Sequence, residues 1–82
     1  MIADWYPTNF ADKVGAGCAA LSGRERMVLY AYARVGTYKL IAYELGITVA
    51  TVKNHVSSIL AKLDCATIGQ AAVRLAFYEL GS

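Results

Sequence analysis

Glycines at positions 15, 17, 23, 36, 46 and 69 cut this 82-residue chain into apolar pieces of helical length. Apolar-polar alternation never persists beyond about five residues, so none of these pieces has the pattern of a half-buried strand. The one proline is Pro7, which leaves everything after it free to be helical. The expectation is an all-α fold of short helices separated at glycines.

Three of the pieces carry a start signal. Thr8 is a cap candidate for a short N-terminal helix over about 7–15, where Phe10 and Val14 stand four apart. Gly15-Ala16-Gly17 follows as a linker. Ser22-Gly23-Arg24-Glu25 has the spacing of a capping box. A stripe of Val28, Leu29, Tyr32, Ala33 and Val35 then leads to the stop at Gly36. A short helix from Thr37 to Leu45 has Ile41, Ala42 and Leu45 inward and ends at Gly46. Thr48 caps the next piece, about 49–63. The last helix, about 70–80, is apolar nearly all round and so needs burial on two sides. Its Val73, Ala76, Phe77 and Leu80 have core spacing, which leaves Ala71, Ala72, Leu75 and Tyr78 for a second surface.

Segment 49–63 carries the functional signal. Val52, Val56, Ile59, Leu60 and Leu63 fall within an arc of about 100°, the width of a core-facing stripe. The opposite face holds Ala50, Thr51, Lys53, Asn54, Ser57, Ser58, Ala61 and Lys62. It has neither an acid nor a bulky apolar side chain. Such a face enters a major groove and offers hydrogen-bonding groups to base edges. Two helices joined by a short Gly-containing turn, the second with a polar, basic face, form a helix-turn-helix signature.

Composition limits the alternatives. Hydrophobic residues make up 57% of the chain and only 17% is charged, more apolar material than so small a domain hides by itself. Part of it should meet a partner. The net charge of +2 is compatible with nucleic acid, and its basic excess lies after residue 20. Cys18 and Cys65 have no metal-ligand spacing and read as small apolar residues. His55 stands alone, so neither a metal nor a cofactor is expected. No constellation activates a nucleophile, and no enzyme is expected. Arg24, Glu25 and Arg26 read as a cap with a local salt bridge. No basic-then-apolar leader opens the chain, and Arg34, Lys39 and Glu44 interrupt the stretches long enough for a bilayer. The expected location is the cytoplasm, and the initial Met suits a complete small protein.

Beyond this general pattern, particular residues point to a family. Leu21-Ser22-Gly23-Arg24-Glu25-Arg26, Ile41-Ala42, Leu45-Gly46-Ile47-Thr48, Thr51-Val52-Lys53-Asn54-His55-Val56 and Ile59-Leu60-Ala61-Lys62-Leu63 resemble the LuxR-type (GerE-type) helix-turn-helix family. The resemblance spans residues 21–78 and implies a four-helix domain whose third helix reads the major groove. Residues 1–20 then form an N-terminal extension and 21–82 the DNA-binding domain. Carried over by position, Lys53, Asn54 and Ser57 would face the groove. Thr51, Lys39 and Lys62 would touch phosphates, with Ser58 on the same face and His55 at its border. The chain departs from the family at Gly23, Leu40, Tyr43, Val49, Ala50, Gly69 and Gln70.

The function implied is a sequence-specific bacterial or phage transcriptional regulator acting on double-stranded DNA. A homodimer through the last helix, using Ala71, Ala72, Leu75 and Tyr78, would bind an inverted repeat. RNA polymerase or another regulator is a further candidate partner. Two other readings stand beside it: a helical adaptor or anti-regulator that binds protein through its tyrosine-rich surface, and a relative of the sigma-factor promoter-reading domain.

Overall fold

A computed structural model describes residues 17–81. The expected helix over 7–15, and the expected packing of Trp5, Tyr6, Phe10 and Val14, lie outside the described residues. After a helical turn at 17–19 come four helices: α1 (Gly23–Val35), α2 (Tyr38–Leu45), α3 (Val49–Leu63) and α4 (Ile68–Leu80). No strand occurs among the described residues.

Local chemistry places every helix start. Ser22, Thr37, Thr48 and Thr67 each accept a hydrogen bond from the backbone N–H three residues on. That satisfies one of the N–H groups left over at a helix start. At α1 the capping box is complete: Glu25 N–H donates to Ser22 Oγ, and Ser22 N–H donates to Glu25 Oε1. Gly46 ends α2 at φ 68°, a left-handed conformation that costs a side-chain-bearing residue energy. That single residue turns the chain from α2 into α3. Asp64 ends α3 in the same region at φ 51°.

Helices α1 and α3 pack on each other and form the centre. Each also packs against both α2 and α4, whereas α2 and α4 do not touch. Helices α2 and α4 are therefore joined only through the central pair. Val28, Leu29, Ile41, Val52, Ile59, Ala71 and Leu75 meet between them, all at 2% exposure or less. Cys18 is also fully buried in this core, and the Gly17 backbone lies against α3. A β-carbon at 17 would stand 2.6 Å from the Lys62 carbonyl oxygen. Gly17 is thus a close-approach point rather than part of a loose linker. The unit packed as the domain begins before residue 21.

Two assignments of inward faces change. On α1, Ala31 is buried and Ala33 exposed, the reverse of the expected stripe. On α4 the two faces are exchanged. Ala71 and Leu75, expected at a dimer surface, are buried in the chain's own core, and Ala72 and Tyr78 pack against it. Val73, Phe77 and Leu80 are exposed by 54%, 71% and 85%, and Ala76 is exposed too. Both stripes have helical period, so periodicity alone does not choose between them. Polar contacts accompany the observed rotation. Arg74 donates to the Leu63 and Asp64 carbonyls at the end of α3. Glu79 accepts from Arg26 and Tyr30 of α1. These two attachments hold the rotation of α4 about its axis, and the small Ala71 side chain permits close approach.

Candidate nucleic-acid interface

The exposed face of α3 is positioned by what lies behind it. Val52, Val56, Ile59 and Leu63 are buried and Leu60 half-buried, which anchors the helix to α1, α2 and α4. With that side fixed, Lys53, Asn54 and Ser57 project into solvent, together with Ala50 and Ala61. No ion pair engages Lys53 among the described residues. The face combines one free ammonium, one amide and one hydroxyl, flanked by two methyl groups. An ammonium suits guanine acceptors, an amide suits adenine, and a methyl suits thymine.

The other expected contacts separate into two groups. Lys39 is exposed in the first turn of α2 and makes no ion pair among the described residues. Thr51 is half-buried, with its hydroxyl 2.9 Å from that of the cap residue Thr48. His55 is half-buried at the edge of the apolar stripe. No group of His, Cys and acids able to hold a metal occurs among the described residues.

Lys62 and Ser58 do not join this face as expected. Lys62 Nζ donates to Glu25 Oε1 at 2.7 Å, and Ser58 hydrogen-bonds the same carboxyl. Burial alone would push the Glu25 carboxyl up. The hydrogen bonds from Lys62, Ser58 and the Ser22 backbone outweigh it and hold the group at about 2. Lys62 is therefore committed to a nearly buried carboxylate and is not a free cation for phosphate. The sequence did carry a sign of this. Glu25 shares a stripe with Val28, Leu29 and Tyr32, at i, i+3, i+4 and i+7, so it faces inward and needs a cationic partner. The arginine beside it also reaches beyond its own helix. Arg26 pairs with Glu79 and donates to the Cys18 carbonyl, where a local salt bridge was expected.

Apolar side chains remain outside. On α2, Tyr43 is 87% exposed and Leu40 47%, and Val73, Phe77 and Leu80 line α4. No helix among the described residues is long and apolar enough to cross a membrane.

A transcriptional regulatory protein of Bacillus subtilis (strain 168), LiaR, is 46% identical over 54 residues, which is 66% of this chain and 26% of that protein. The chain thus spans about a quarter of that relative's length. No solved structure gives a significant match. Residues 19–75 match the family described as bacterial regulatory proteins, luxR family. That stretch takes in the described α1, α2 and α3, the glycine turn between the last two, and part of α4. It covers well over half of the chain. With its all-α fold and its polar, cationic third helix, this chain belongs to the luxR family of bacterial regulatory proteins, a DNA-binding and non-enzymatic family.

Proposed function

We propose that the chain is a sequence-specific transcriptional regulator that inserts α3 into the major groove and binds an inverted repeat as a homodimer. The observation that carries this is the outward face of α3. Lys53, Asn54 and Ser57 are exposed on a helix whose opposite side is locked into the core. A groove-reading helix needs such a rigid backing, because base discrimination depends on side chains held in place. Lys39 adds a free cation at the start of α2.

The dimer rests on α4. Val73, Phe77 and Leu80 are exposed at i, i+4 and i+7, an apolar stripe that a two-fold partner would cover. One stripe per subunit is a small interface, so pairing is expected to be weak in solution and reinforced on DNA. A cytoplasmic site of action goes with this reading.

A second reading has its own observation. Leu40 and Tyr43 present an apolar patch on α2, and an adaptor binding protein there would need no groove contact. Selecting bound sequences from a random duplex pool separates the two. Enrichment of a two-fold symmetric site supports the regulator, and no enrichment at low salt supports the adaptor.

A further inference from the structure

Among the described residues, the structure divides the cations by what they already hold. Arg26 is paired with Glu79, Arg34 with Glu44, and Lys62 with Glu25. Arg74 is bound to carbonyls at the end of α3. Lys39 and Lys53 belong to the interface already described. Arg24 is left. It is exposed in the first turn of α1 and makes no ion pair among the described residues.

Its direction follows from its neighbours on α1. Successive residues of an α-helix are about 100° apart, so Arg24 and Arg26 project about 160° from each other. Arg26 turns towards α4, where it meets Glu79. Arg24 is therefore aimed away from α4. Arg34, about 80° from Arg24 round the helix, reaches Glu44 of α2. Arg24 is also one residue from Glu25, which is bonded to Ser58 and Lys62 in the second half of α3. Arg24 thus leaves α1 about 100° round the helix from the residue that meets this half of α3, on a flank where Lys62 is engaged by Glu25.

We propose that Arg24 contacts a backbone phosphate of duplex DNA beside the second half of α3, while Lys39 does so from α2. A guanidinium presents a fork of donors that matches phosphate oxygens. The assignment rests on the groove-reading role of α3 and adds to it the residue that anchors this flank.

The test is the salt dependence of binding by the full chain, on its selected site and on a random-sequence duplex. Each phosphate contact contributes about 0.9 to the slope of log affinity against log salt. Arg24→Ala is expected to lower that slope by about one on both duplexes and leave the thermal melt unchanged. Arg24→Lys should restore most of it. Lys62→Gln should lower the melting temperature and keep the parental slope. A parental slope in Arg24→Ala, with the parent binding DNA, overturns the assignment and leaves groove reading standing. A parent that binds no duplex at low salt overturns both.

Discussion

Lys62 of α3 and Glu25 of α1 form an ion pair at 2.7 Å, with the Glu25 side chain only 5% exposed. The same carboxyl accepts the Ser22 N–H at the start of α1, so one group caps a helix and fastens it to α3. The cost of desolvating it is offset by these donors acting together, and removal of one donor leaves a buried charge short of a partner.

Lys62→Met should therefore destabilise the domain by about 1–3 kcal/mol, beyond the effect of an ordinary exposed lysine. The pH dependence has a defined sign. The folded carboxyl sits at about 2 against an ordinary 4.5, so its contribution is present above pH 4.5 and is lost as pH falls towards 2. Urea melts across that range should show the loss in the parent. Glu25→Gln should flatten it, and an unchanged pH profile in that variant would assign the acid sensitivity to other carboxyls.

On α4 the two stripes should respond in opposite ways. Leu75→Ala removes a fully buried side chain and should cost about 2–5 kcal/mol. Phe77→Glu lies on the exposed stripe and should leave the monomer's melt within about 0.5 kcal/mol. If α4 pairs two copies, Phe77→Glu should also abolish cooperative binding to an inverted repeat while sparing a single half-site. Titrations on both duplexes, with light scattering at high protein concentration, read the difference. Unaltered cooperativity would move the interface off α4.

Base reading should be lost separately from general affinity. Asn54→Ala is expected to cost about 1–3 kcal/mol on the selected site and to relax one base position. Binding to random duplex should barely change. Repeating the sequence selection with the variant checks this. Selection of the parental site at every position would contradict an inward turn of Asn54 towards the bases.

Two glycines provide a control on the packing. Gly17→Ala sets a β-carbon 2.6 Å from the backbone oxygen of Lys62, a contact that forces chain movement and should cost about 1–3 kcal/mol. Gly23→Ala meets nothing within 4 Å at the start of α1 and should be neutral or slightly stabilising. Equal melting temperatures for the two variants would mean that residue 17 is not held against α3.

Much of this molecule is legible in residue order because the relevant physics is local. Ser22, Thr37 and Thr48 cap within three residues, Gly36 and Gly46 supply left-handed stops, and the stripe Val52, Val56, Ile59 and Leu63 needs only helical period to be seen. The outward direction of Lys53, Asn54 and Ser57 follows from that stripe. Tertiary structure decided what local pattern leaves open. Helix α4 offers two apolar faces of equal period, and the tertiary structure puts Leu75 rather than Phe77 in the core, with Arg74 reaching α3 and Glu79 reaching α1. The cations are divided in the same way. Lys62 and Arg24 look alike in sequence, but a charge is free or committed according to what another helix brings beside it. Glu25 stands 37 residues from Lys62 along the chain and meets it only when α1 packs on α3.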